Sequence, residues 1–110
     1  MDFDLACDDD CPIRIAGELL GGKWTTLIFR ELFDGTKRFN ELYKALKGIS
    51  PRILAERLKM LEQHKLVTRT VIPTVPPATE YALTEHGRKI EGVLAAMAEF
   101  GGVILQAKGG

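Results

Sequence analysis

A mainly α-helical fold with one small β-hairpin is what the sequence predicts, and three observations carry that reading. Apolar residues recur at helical spacing in successive stretches, a run of β-branched residues follows the fourth of them, and a loop containing Pro73, Pro76 and Pro77 parts that run from Tyr81, Ala82 and Leu83. The chain has 110 residues, enough for one ordinary domain. With 45% hydrophobic and 27% charged residues it has a globular composition, so a packed core is expected.

Each element has local chemistry behind it. Pro12 suits a first helical position with Cys11 at the N-cap, and Ile13, Ala16, Gly17 and Leu20 complete a short helix that Gly21 and Gly22 stop. Trp24, Leu27, Ile28 and Leu32 mark the buried stripe of a second helix ended by Asp34 and Gly35, and Phe39, Leu42, Tyr43 and Leu46 that of a third ended by Gly48. The fourth opens with Ser50 as N-cap and Pro51 behind it, and Leu54, Leu58 and Leu61 form its stripe. Val67, Thr68, Thr70, Val71 and Ile72 begin the hairpin. Thr84 then caps a last helix striped by Ile90, Val93, Leu94, Met97 and Gly101. Residues 1–10 read as an acidic, flexible segment, 11–106 as the domain and 107–110 as a flexible tail.

Fifteen basic and fifteen acidic residues give a formal net charge of zero, which taken alone argues against a polyanionic partner. The distribution is uneven. Residues 36–70 hold nine Lys and Arg against three Glu, so a local cationic surface is compatible with the neutral whole. No apolar run reads as long enough to span a bilayer and the start is acidic, so a cytoplasmic chain without membrane contact is expected. The sequence holds no glycine-rich phosphate loop, nucleophile elbow or paired-histidine metal motif. Neither an enzyme, a cofactor nor a metal site is expected, His64 and His86 being read as surface residues.

The third and fourth helices, joined by a turn at Gly48, have the layout of a helix-turn-helix. At roughly 100° per residue, Arg52, Glu56 and Lys59 fall opposite the leucine stripe. A helix that enters the major groove needs this division, with apolar anchors inside and long polar side chains reaching bases and phosphates. Arg52 is placed to read a guanine, Lys59 and Arg38 to hold phosphates, and Ser50 and Pro51 to present the positive helix end to the backbone. Glu56 reads best as the i, i+4 partner that orients Arg52. The following hairpin makes the whole a winged helix-turn-helix, with Arg69 its one basic residue and Thr74 shaping the tip. Asn40 completes the expected DNA-binding set. The competing reading is a winged-helix protein-interaction module that does not touch DNA.

The last helix carries more apolar surface than one small wing can cover. Ile13, Leu20, Ile90, Leu94, Met97, Phe100 and Ile104 are therefore expected at a homodimer interface of terminal helices. Two such protomers present their reading helices about 34 Å apart, or a multiple of it, and call for an inverted-repeat operator in double-stranded DNA.

Four ordered blocks also resemble the HxlR-type regulators: GGKWTTLIFREL (residues 21–32), RFNEL (38–42), ISPRILAERLKMLE (49–62) and VPPATEYALTEHG (75–87). The resemblance covers most of the chain and implies a winged helix-turn-helix dimer, paired through terminal helices, that represses or activates nearby promoters, repression being the outcome expected here. Where that family often has Lys or Arg beside the wing prolines, this chain has Ala78. At Cys11 the helix dipole favours the thiolate while Asp8, Asp9 and Asp10 oppose it, and the sequence leaves the balance open. The resemblance adds an expectation that Cys11 senses an oxidant or small electrophile, with Cys7 as a neighbouring thiol.

Overall fold

The computed structural model describes residues 11–109, so the acidic segment and Cys7 lie outside the described residues. Helices α1 (Pro12–Leu20) and α2 (Thr25–Phe33) lead into strand β1 (Lys37–Arg38) and helices α3 (Phe39–Ala45) and α4 (Pro51–Gln63). Strands β2 (Val67–Ile72) and β3 (Ala78–Leu83), a 3-10 turn (Gly87–Lys89) and helix α5 (Ile90–Gly109) follow. The expected mainly α fold with a β-hairpin wing is present. Strand β1 is an addition to it, pairing antiparallel with β3 through Lys37↔Tyr81 and Arg38↔Glu80 to give a sheet of order β1-β3-β2. Two residues carry no alternation, which is why the sequence did not announce it.

The core gathers Ile28, Phe29 and Leu32 of α2, Leu42 and Leu46 at α3, Leu54, Leu58 and Leu61 of α4, and Val67, Tyr81 and Leu83 of the hairpin. Each leucine of α4 is fully buried and contributes about 2 kcal/mol by leaving water. Two expectations need correction. Phe29 is fully buried whereas Trp24 and Leu27 are only partly so, because Thr25, Ile28, Phe29 and Leu32 form the inner face of α2. Tyr43 is 41% exposed, since the seven residues of α3 offer the core little beyond Leu42.

Helix α4 begins as expected, with the Ser50 Oγ accepting from the Ile53 amide at 3.1 Å. It ends in a Schellman arrangement in which Leu66 N donates to Leu61 O and Lys65 N to Glu62 O, both at 2.9 Å, with Lys65 in the left-handed region at φ 61°. The hairpin starts at once, and β3 begins at Ala78, three residues before the stretch expected. Thr84 Oγ1 donates to Lys65 O at 2.8 Å and accepts from Gly87 N at 2.9 Å, so it ties the end of α4 to the 3-10 turn before α5.

The outer helices behave differently. No residue of α1 is buried, and of its expected stripe Ile13 is among the exposed large hydrophobics while Leu20 is half-buried against the core. Ile90 and Leu94 of α5 also pack onto the core, but Phe100 (67%) and Leu105 (71%) are open. Helix α5 continues through Gly109 where a flexible tail was expected from residue 107, because Gln106, Ala107 and Lys108 are good helix formers. The helical segment Gly87–Gly109 is by length and composition apolar enough to cross a membrane, against the expectation that no run was. Its apolarity runs past Gly92, Gly101 and Gly102, which interrupt the sequence pattern without interrupting the helix.

Gly87 is the tightest junction. A Cβ there would run into the Leu66 carbonyl oxygen and stand 2.9 Å from its carbon, and that carbonyl is held in place by the Thr84 amide at 3.0 Å. Gly87→Ala is expected to destabilise the fold by about 3 kcal/mol. Urea denaturation should show the midpoint falling with the slope unchanged, and an unshifted midpoint would show that Leu66 yields.

Candidate nucleic-acid interface

All nine side chains expected to meet DNA, namely Arg38, Asn40, Ser50, Pro51, Arg52, Glu56, Lys59, Arg69 and Thr74, are exposed. The leucine stripe sets this outcome on α4, since burying Leu54, Leu58 and Leu61 turns Arg52, Glu56 and Lys59 outward. Three local groups result.

The first lies at the start of α4. Arg52 Nε donates to Glu56 Oε1 at 3.2 Å, as the i, i+4 spacing predicted, and the Arg52 side chain remains 86% exposed. At that exposure the pair is worth a few tenths of a kcal/mol in stability, so its consequence is to bias the guanidinium along the helix. Ser50, the N-cap, lies two residues before Arg52. Its oxygen is engaged by the Ile53 amide, while its hydroxyl proton remains available to an acceptor such as a phosphate.

The second group spans α3 and the wing tip. Residues 38–41 and 74–79 line a cleft of about 730 Å³, which brings Arg38 and Asn40 opposite Thr74 and Thr79. Glu41 Oε1 accepts from the Arg38 backbone amide at 2.8 Å, closing the start of α3 and leaving the guanidinium outside. Glu41 was not singled out in the sequence, although a Glu three residues after a cap position is a recognisable signal. Thr74 Oγ1 donates to Pro76 O at 2.7 Å, so its proton holds the tip, which turns through a cis Val75–Pro76 bond. Thr74 thus shapes the cleft, and Arg38 is the cation in it.

The third group is a shallow depression lined by Ala55, Lys59, Glu62, Arg69 and Tyr81. It places Lys59 of α4 and Arg69 of β2 on one surface, a proximity that their sequence separation concealed. Cys11 stands elsewhere, at the N-cap of α1 and 3% exposed, its side chain making no cap bond. His64 and His86 are exposed, and no group of three or more His, Cys, Asp or Glu suited to a metal occurs among the described residues.

The model of the HxlR-like helix-turn-helix family matches residues 19–108. The HTH-type transcriptional regulator sll1512 of Synechocystis sp. is 46% identical over 91 residues, covering 83% of this chain and 67% of that protein. The HTH-type transcriptional regulator YodB of Bacillus subtilis is 44% identical over 88 residues, 79% of each chain. Among solved structures, the reduced form of the redox regulator HypR superposes with a TM-score of 0.79 at 37% identity, covering 87% of this chain and 98% of that one. The reduced form of YodB gives 0.73 at 43% identity, covering 82% and 89%.

The two arginines are separable by experiment. Arg52→Ala is expected to cost about 1 to 3 kcal/mol on a cognate duplex and to relax base preference, while Arg38→Ala weakens cognate and mixed-sequence duplexes alike. Titrations of both variants on both duplexes distinguish the roles, and equal losses on the two duplexes for both variants would remove Arg52 as the reader.

Proposed function

Because the chain belongs to the HxlR-like helix-turn-helix family, we propose that it is a cytoplasmic, non-enzymatic transcription repressor that binds double-stranded operator DNA as a homodimer. The observation that carries this reading is the exposed face of α4, where Arg52, Glu56 and Lys59 stand outward above three fully buried leucines. A helix so anchored presents its first turn to the floor of the major groove, and Arg52 can give two donors to the acceptors of a guanine. Ser50, Arg38 and the Lys59/Arg69 pair flank it as backbone contacts, and the wing cleft receives the adjoining strand. A protein-interaction module has no need of these outward cations, so the exposed cationic face favours DNA over that alternative.

Dimerisation follows from the outer helices. Met97, Phe100, Val103, Ile104 and Leu105 on α5, and Ile13 and Ile15 on α1, are large apolar side chains left exposed on a protomer 50 Å long. A helix apolar around most of its circumference is stable in water only when covered. A second copy covers it symmetrically and places two reading helices on one face, hence an inverted-repeat site. Leu20, Ile90 and Leu94, which already pack onto the core, support that interface from beneath.

Cys11 is the proposed point of control. It begins a helix at the edge of the molecule, and relatives named for redox regulation share the fold in reduced and oxidised forms. A thiol 3% exposed is modified only when the start of α1 opens. Oxidation to an intersubunit disulfide, or capture of a small electrophile, therefore repositions α1 against α2.

Footprinting of the DNA upstream of the chain's own gene tests the main reading. Two equal protected half-sites about one helical turn apart, lost as salt rises with a log-log slope near −0.9 per phosphate, are expected. Protection that is absent, or that ignores salt, would remove DNA as the partner. For the switch, diamide treatment is expected to change operator affinity of the wild type and to leave Cys11→Ser unchanged. An equal response in both would assign the effect to another group.

A further inference from the structure

The turn between α1 and α2 holds cations that the interface described above does not use. Lys23 Nζ lies 4.6 Å from the centroid of the Trp24 ring, a cation–π contact that fixes an exposed ammonium in place. Arg57 of α4 reaches the same turn, its guanidinium Nη2 lying 3.6 Å from where a Cβ on Gly22 would stand. Arg57 Nε is buried without a hydrogen-bond partner, and neither Lys23 nor Arg57 is in an ion pair among the described residues.

The start of α2 is equally uncompensated. Its first backbone bond runs from Ile28 N to Trp24 O at 2.9 Å, so the amides of Thr25, Thr26 and Leu27 precede the ladder. Trp24 supplies no side-chain cap, and the first turn holds no acidic residue. Thr25, the first residue of that helix, is 0% exposed with its Oγ1 unpartnered. Thr25 faces the core with Ile28 and Phe29, so what this turn offers to an anion is a positive helix end and two cations outside any ion pair among the described residues.

The location identifies which anion. Trp24 Cη2 lies 3.7 Å from where a Cβ on Gly48 would stand, so this turn abuts the helix-turn-helix joint two residues before Ser50. The wing cleft takes the other end of α3, at residues 38–41. The two features therefore stand at the two ends of α3, a seven-residue helix about 10 Å long that precedes the helix carrying Arg52. A duplex seated on α4 presents a phosphate strand to each side of that helix.

We propose that residues 21–26 are a second backbone anchor, in which a DNA phosphate is held by the Lys23 ammonium at the positive start of α2, with the Arg57 guanidinium supplying further positive charge from α4. This rests on the DNA-binding reading and adds a contact with no base specificity. Trp24, the chain's one tryptophan, is its built-in reporter.

Fluorescence anisotropy of a labelled mixed-sequence duplex, titrated over a series of potassium chloride concentrations, tests it. Lys23→Gln is expected to weaken binding several-fold on mixed-sequence and cognate duplexes alike and to flatten the log-log salt slope by about 0.9, while Lys23→Arg keeps the slope. Trp24 emission in the wild type is expected to change as duplex saturates the protein. A Lys23→Gln slope equal to that of the wild type, or Trp24 emission indifferent to duplex, overturns the anchor while leaving the DNA reading standing. A wild type that binds no duplex at any salt overturns both.

Discussion

The arrangement depends on one division of labour along α4. Leu54, Leu58 and Leu61 are driven out of water into a core shared with Ile28, Phe29, Leu32 and Leu42, and their burial fixes the rotation of the helix about its own axis. Because side chains four apart lie on one face, that rotation obliges Arg52, Glu56 and Lys59 to face solvent. Stability and the outward presentation of charge therefore come from the same residues. Loss of a core leucine would cost about 2 to 5 kcal/mol and release the helix that carries the reading face.

Around α4 the fold uses small polar contacts to fix directions more than to add stability. Glu41 closes the start of α3 on the Arg38 amide, Thr74 closes the wing tip on Pro76, and Thr84 ties the end of α4 to the turn before α5. Each is a bond between a side chain and nearby backbone, worth about 1 kcal/mol. Their value lies in position, because each fixes the direction in which the next segment leaves. The neutral net charge of the chain is consistent with this, since nine cations of residues 36–70 are concentrated on the elements so positioned.

The outer helices form a second layer with a different purpose. Helix α2 contacts both α1 and α5 and also contributes Phe29 to the core beside α4. A displacement of α1 or α5 thus reaches α4 through packed side chains, which resist gradual deformation. Cys11 is buried at the start of α1, whereas Phe100 and Leu105 of α5 are uncovered.

Much of this was legible in the chain itself. Ser50, Pro51 and the three leucines specify α4 by local chemistry alone, and spacing alone pairs Arg52 with Glu56, because a helix of known period maps sequence onto faces without reference to anything else. Short or non-local features were not legible. Strand β1 exists only because β3 offers it an edge, Phe29 rather than Trp24 fills the centre because of how α2 rests on its neighbours, and Tyr43 stays outside because α3 is too short to turn it in. Lys59 comes to share a depression with Arg69, and Arg57 approaches Gly22, only once α4 has been laid against the hairpin and the first turn. Periodicity and capping are properties of consecutive residues, so the sequence settles which face of each helix is apolar. Which cations share a surface depends on how those faces stack, and that was decided by packing in three dimensions.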